Sequence, residues 1–164
     1  MDKGPHKTNA ARLLDRARVA YRLVAYEVDP DDLSATHVAA TVGVAPEVIY
    51  KTLVLSGDRT GHFACVVPAN REVDLKKAAA VAGNKKAEML PLKDLLPTTG
   101  YIRGGCTAIG MKKPMPVFVQ DDCLALPEFF VSAGQRGLQL AIAPADYIAF
   151  TGATAADICT AQPD

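Results

Sequence analysis

No apolar run in the 164 residues approaches the ~20 that a helix needs to cross a bilayer. A membrane-spanning chain is therefore not expected. The opening residues, Met1-Asp2-Lys3-Gly4-Pro5-His6-Lys7, are polar and charged, and no hydrophobic stretch follows them. No secretory signal is read there, so the cytosol is the expected compartment. Histidine is scarce, and His6, His37 and His62 are too scattered to make a ligand set. The four cysteines, at 65, 106, 123 and 159, stand 41, 17 and 36 residues apart. None of these gaps is the close CxxC spacing of a zinc site or a redox dithiol, and neither metal nor cofactor is expected. Cys65, inside Phe63-Ala64-Cys65-Val66-Val67, reads as a small buried hydrophobe.

Familiar phosphate and nucleophile signatures are also missing. Gly100, Gly104, Gly105 and Gly110 fit neither GxxxxGK[ST] nor GxGxxG. A nucleotide-binding regulator thus has no phosphate loop to support it. No Gly-x-Ser-x-Gly elbow surrounds Ser132, and no Ser–His–Asp set is evident.

What is present is an ordinary globular composition. Apolar residues make up 49% of the chain, charged residues 22%, and mean hydropathy is +0.10. A domain of this length buries roughly 70% of the surface its unfolded chain exposes, so one domain over 1–164 is expected without help from disulfides. There is no repeat, low-complexity tract or linker.

The net charge of zero conceals an asymmetry. Arg71, Lys76, Lys77, Lys85, Lys86, Lys93, Arg103, Lys112 and Lys113 are opposed between 71 and 113 only by Glu72, Asp74, Glu88 and Asp94, a surplus of five. The rest of the chain carries the balance, largely through Glu27, Asp29, Asp31 and Asp32. Three Lys-Lys pairs in one segment suit contact with phosphates, and equally suit solvated helix faces and turns.

Thr8 or Asn9 caps an expected helix to Ala20. Arg22–Val28 alternates as a strand with Val24, Tyr26 and Val28 on one face. A short helix, 36–42, ends at Gly43. Strands 51–55 and 62–67 form a hairpin across the five-residue loop Gly57–Gly61. Asp74 caps a helix over 75–82, and another runs 91–96. Further strands are read at 116–120, 129–132 and 138–143, before a last helix opened by Pro144. Single helices mixed with strand pairs give an α+β class. The expected architecture is a mixed, largely antiparallel sheet, curled or closed as a barrel, with helices around it.

Three segments can carry chemistry. In Tyr50-Lys51-Thr52-Leu53-Val54-Leu55, strand alternation puts Lys51 on the face of Leu53 and Leu55. A lysine drawn toward a groove can hold a phosphate or carbonyl oxygen, or act as a base; at a strand end it can also simply lay its stem on apolar surface. The run from Gly100 to Gly110 allows close backbone approach to an anion or oxyanion, or merely turns the chain. At the third, Ser132 and Arg136 sit where a strand bends through Gly134 and Gly137 into the next.

Together these pieces resemble the YbaK/EbsC family, free-standing relatives of the editing domain inserted in bacterial prolyl-tRNA synthetase. The resemblance rests on Ala25-Tyr26-Glu27-Val28-Asp29-Pro30, Tyr50-Lys51-Thr52-Leu53 and Asp74-Leu75-Lys76-Lys77-Ala78 with Lys85-Lys86. It continues in Thr99-Gly100-Tyr101-Ile102-Arg103-Gly104-Gly105, Lys112-Lys113, Val131-Ser132 and Arg136-Gly137-Leu138. It runs nearly the whole chain and is closest to the Cys-tRNA(Pro) deacylases. The resemblance implies a groove for the 3′ end of an aminoacyl-tRNA and a deacylase that uses no metal. By the same resemblance Lys51 binds the terminal adenosine's phosphate or ribose, Tyr26 lies beside the aminoacyl group, and Gly104 and Gly105 approach the ester. Thr107, Ser132 and Arg136 are then substrate-binding, and Lys76, Lys77, Lys85, Lys86, Lys112 and Lys113 contact tRNA. In the cysteine-specific members the substrate's thiol is thought to attack the ester and release a thiolactone.

The chain departs from the family in two places. Gly-Gly-x-Ser-Pro-x-Gly becomes Gly104-Gly105-Cys106-Thr107-Ala108-Ile109-Gly110. Where close relatives carry Gly-Gly-Lys-Arg-Gly-Leu-Asp, this chain has Ala133-Gly134-Gln135-Arg136-Gly137-Leu138-Gln139. Neutral amides thus replace a lysine and a carboxylate, which leaves the edited amino acid open. The alternatives to cysteine editing are removal of alanine or another small amino acid, or a silent module that binds tRNA or prolyl-tRNA synthetase.

Overall fold

The computed structural model describes residues 7–161. The chain opens with α1 (Asn9–Arg16), whose first turn is closed by Thr8: its hydroxyl accepts the Ala11 N–H. Strand β1 (Arg22–Ala25) ends before the alternating pattern does; Tyr26 N–H adds one more bond to Gly137 O, at 2.9 Å. Ser34 caps α2 (Ala35–Val42), and Gly43 stops it at φ 87°.

The expected hairpin is β2 (Tyr50–Gly57) and β3 (Gly61–Pro68), in register over their whole length, so Gly57 and Gly61 belong to the strands and the loop is shorter than read. Asp74 accepts the N–H of both Lys76 and Lys77 and starts α3 (Leu75–Val81). A short β4 (Ala87–Met89) follows, and then α4 (Leu92–Thr99), which runs past Pro97 to Gly100. Next come β5 (Val117–Gln120), β6 (Phe129–Gln135), β7 (Leu138–Ile142), α5 (Pro144–Thr151) and β8 (Thr154–Ala156). Strands β4 and β8 lacked a sequence signal because three residues are too few to show a period of two.

The strands form two sheets, β1-β7-β6 and β4-β2-β3-β5-β8. Pairing is antiparallel except β3–β5 and β5–β8. No closed barrel forms among the described residues. The two sheets touch edge to edge only at the bridge between Ile49 and Phe130, and otherwise face each other. The reason lies in β2: β4 pairs only with Leu55–Gly57, Leu90 N–H adds one bond to Val54 O at 2.9 Å, and the ladder with β4 goes no further toward Tyr50.

Alternation divides the hairpin between two cores. Tyr50, Ala64 and Val66 face Phe129, Val131, Leu138 and Leu140 of the other sheet, with Leu14 of α1 and Tyr147 of α5 closing the space. Phe129 sits edge-on between Tyr50 and Tyr147, with centroids 5.0 and 5.2 Å away. On the far side Leu55, Phe63, Cys65 and Val67 pack on Ala78 of α3 and on Ile158. Ala39 of α2 covers Phe130 and Ala141 on the outer face of the three-stranded sheet.

All four cysteines are buried. Burial pushes the Cys65 and Cys106 thiols up to about 12, and those of Cys123 and Cys159 up to about 11. In an unfolded chain a thiol ionises near ~8.5. The folded state therefore holds these protons more tightly; the resulting stability is complete below that pH and is lost as pH climbs through 11 to 12. The urea midpoint is expected to stay level from about pH 7 to 8 and to fall by about pH 10. A midpoint that holds at about pH 10 would mean that the thiols reach water.

Candidate active site

Where β2 leaves its edge unpaired, a groove of about 750 Å³ opens. That is the size of a small-ligand site. Both faces of β2 reach it: Lys51 and Leu53 from one, Thr52 and Val54 from the other. β6 and β7 contribute Ser132 and Gln139, partners across their ladder, at the floor. One rim is α2 and the segment before it, and the other is β4 with α4.

Lys51 is half-buried, its side chain 24% exposed. Nζ donates to Ala69 O at 3.3 Å and lies 4.0 Å from Glu72 Oε1, while the Glu72 side chain is 81% exposed. A pair so long and so wet holds the ammonium weakly. The charged side chains on the groove wall are Lys51, Arg103 and Glu72, and no imidazole is among them.

Among the described residues, four that line the groove carry a buried polar atom with no hydrogen-bond partner: Tyr50 Oη, Thr52 Oγ1, Asn70 Oδ1 and Gln139 Oε1. Leaving such groups unpaired costs free energy that a bound ligand's donors can recover. Ser132, 8% exposed, already accepts the Gly134 N–H at 3.1 Å. Cys106 also reaches the groove, but its thiol, held near 12 by burial, stays protonated at neutral pH.

The Gly-rich run separates into parts with different work. Gly104, at φ 86°, is exposed and lines the groove. The Arg136 side chain lies over it; a Cβ there would stand 3.3 Å from Nε. Arg136 Nε donates to Arg103 O at 2.8 Å, so this guanidinium clamps the run to the β6–β7 turn and does not face the groove. Gly105 is buried against that same turn: a Cβ there would come within 3.0 Å of Gln135 Cα. Thr107 is fully buried, its hydroxyl turned to the Ile109 N–H at 3.4 Å, and it does not line the groove. The reading of Thr107 as substrate-binding therefore fails on geometry; its hydroxyl is spent on the turn.

Tyr26 and Arg136 instead line a small recess of about 10 Å³ beside the groove, with Gly104, Glu27 and His37. Gly104 and Leu33 belong to both walls, so Tyr26 is a neighbour of the groove and not part of its lining.

None of the six lysines expected at tRNA lines the groove. Lys77 donates to Asp157 Oδ2 and to Cys159 O, both at 2.9 Å, and the Asp157 bond raises its pKa. Lys76, Lys85, Lys86, Lys112 and Lys113 are exposed, and the Asp58 carboxylate accepts the backbone N–H of Lys85 and Lys86. The sequence reading gave no role to Thr52, Asn70, Glu72 or Arg103. Asn70 and Glu72 follow directly on the end of β3, where loops off a rigid strand commonly carry sites, and that was the available signal. Among the described residues no group of three or more His, Cys, Asp or Glu is placed to hold a metal; His6 lies outside them. No helix there is long and apolar enough to cross a membrane.

The fold that carries this groove recurs in known proteins. The chain is similar in structure to a candidate trans-editing enzyme for prolyl-tRNA synthetase (TM-score 0.78, 24% identity, 95% of this chain and 100% of that one). It is also similar to a scaffold protein solved for epitope grafting (TM-score 0.81, 26% identity, 94% and 99%). In sequence it is 44% identical to EbsC of Enterococcus faecalis, named as a candidate Cys-tRNA(Pro)/Cys-tRNA(Cys) deacylase, over 98% of both chains. Residues 29–150 match the model of the aminoacyl-tRNA editing domain. On a match that spans β2, the groove and the β6–β7 turn, the chain belongs to the aminoacyl-tRNA editing domain family.

Proposed function

We propose that this aminoacyl-tRNA deacylase removes cysteine from Cys-tRNA(Pro) in trans, in the cytosol, and that the substrate's own thiol is the nucleophile. The observation that carries this reading is a groove that offers cations and polar atoms but no ready protein nucleophile. Its one thiol, Cys106, is held protonated, and no imidazole lines it to activate Ser132, whose oxygen already accepts a backbone N–H. The name of the 44% identical relative supports cysteine as the amino acid.

The chemistry then needs placement more than reactive side chains. The substrate thiol gives up its proton, and its sulfur forms a bond to the ester carbonyl carbon. The bond from that carbon to the ribose oxygen breaks, and the ribose oxygen leaves with a proton. The products are a cyclic thiolactone, which water opens to cysteine, and free tRNA. Lys51 and Arg103 hold the anionic 3′ end, and their charge favours the thiolate over the thiol. Gly104 lets the ester approach the backbone closely. The unpaired oxygens of Thr52 and Gln139 accept donors of the amino acid. Orientation of this kind supplies a large part of a barrier reduction without covalent catalysis.

Cys106→Ala is expected to keep most of the deacylation rate, because its thiol takes no part. Single-turnover assays check this, and a loss of ~10² or more in a folded variant would assign the attack to the protein. The rate is also expected to rise with pH toward ~8.5, the ordinary thiol value, since the enzyme's own thiols titrate well above it.

A further inference from the structure

Among the described residues seven large apolar side chains are notably exposed, and four of them are Met89 in β4, Leu92 and Leu96 in α4, and Ile102 just after that helix. Leu92 and Leu96 are 63% and 53% exposed and one helical turn apart, so they share an outward face of α4. Met89 and Leu92 also line the groove, which makes this patch its continuation. Basic groups frame it. Lys93 is on the same helix, Arg103 is on the groove wall, and Lys112 is tied to the helix end by its N–H to Thr99 O at 2.9 Å. Behind the opposite rim the sign reverses: Glu27, Asp29 and Asp32 line the adjoining recess, and residues 27–37 hold no lysine or arginine.

We propose that this apolar, basic rim docks the unpaired nucleotides next to the 3′ end of the tRNA, a proposal that rests on the deacylase reading of the groove. An exposed leucine face suits the flat face of an unstacked base, which a paired stem does not offer. Phosphates between those bases meet Lys93, Arg103 and Lys112, and the acidic residues behind the opposite rim repel them. The two rims thus set the direction in which the strand enters: nucleotides run over α4, and the aminoacyl end reaches the floor at Ser132 and Gln139.

The test is binding to two fluorescent acceptor-stem hairpins, one with the single-stranded 3′ end and one blunt. The native chain is expected to favour the single-stranded end by ~10-fold. Leu92→Ser/Leu96→Ser should erase that preference and keep the slope of log K against log salt. Leu92→Met/Leu96→Met should restore the preference. Lys93→Glu/Lys112→Glu should flatten the slope by about 0.7 to 0.9 for each lost phosphate contact. No preference in the native chain, or an unchanged one in the folded serine variant, overturns the proposal and leaves the patch to a protein partner. Deacylation of Cys-tRNA(Pro) by the same native preparation reports separately on the catalytic reading.

Discussion

Lys51→Ala is expected to cut deacylation of aminoacyl-tRNA by ~10-fold or more while the chain stays folded. The estimate follows from what the ammonium does. On the groove wall it is held only by the Ala69 carbonyl at 3.3 Å and a distant Glu72, so its charge is free to meet an anionic substrate. A charge-assisted contact of that kind contributes about 1.5–3 kcal/mol, which is about 10- to 150-fold in rate or affinity. Losing the long, exposed pair with Glu72 costs the fold about 0–1 kcal/mol. The effect should therefore appear in kcat/KM and not in the melting temperature. Lys51→Arg keeps the charge but offers a planar fork in place of a compact ammonium, and should recover part of the rate. Near-normal turnover by a folded Lys51→Ala variant would remove this residue from the mechanism.

Lys51 was legible because its signals are local. Period-two alternation from Tyr50 to Leu55 marks a strand, and a charge on the leucine face stands out without any tertiary information. The same is true of Asp74 at the start of α3 and of Gly43 at the end of α2, where one residue's chemistry fixes the turn. What brings Lys51 to a groove was not legible. It depends on β4 stopping after three residues and on β6 forming a backbone bridge only at Ile49, and neither is written near Lys51.

Thr107 and the lysine pairs show the converse. A hydroxyl in a Gly-rich run invites a substrate role, yet the backbone there turns Thr107 inward and leaves Cys106 on the groove side. Lys77 looks available for phosphate until Asp157, eighty residues away, is folded against it. Arg136 reads as a groove cation and is a clamp on the Arg103 carbonyl. Long side chains near a bend choose among partners from distant segments, and local pattern cannot rank those partners. Sequence resemblance named segments that border the groove, and folding decides which of their residues line it.

Substrate choice carries the largest expected effect. If the reacting sulfur belongs to the substrate, its removal deletes the nucleophile outright and no residue of the groove replaces it. Cys106 is held protonated by burial, and the Ser132 hydroxyl has no imidazole beside it. Ser-tRNA is close in size to Cys-tRNA and binds in the same space, but its hydroxyl is a far weaker nucleophile than a thiol, so it should be cleared at least ~10²-fold more slowly. Alanine lacks even the hydroxyl. The decisive measurement is single-turnover deacylation of Cys-tRNA(Pro) beside Ala-tRNA(Pro) at saturating enzyme, with the released product identified. The account predicts rapid loss of cysteine as the thiolactone or as cysteine formed from it, and alanine released ~10²-fold more slowly or not at all. Equal rates for the two would contradict it, since only a water activated by the protein can remove an amino acid that brings no nucleophile of its own.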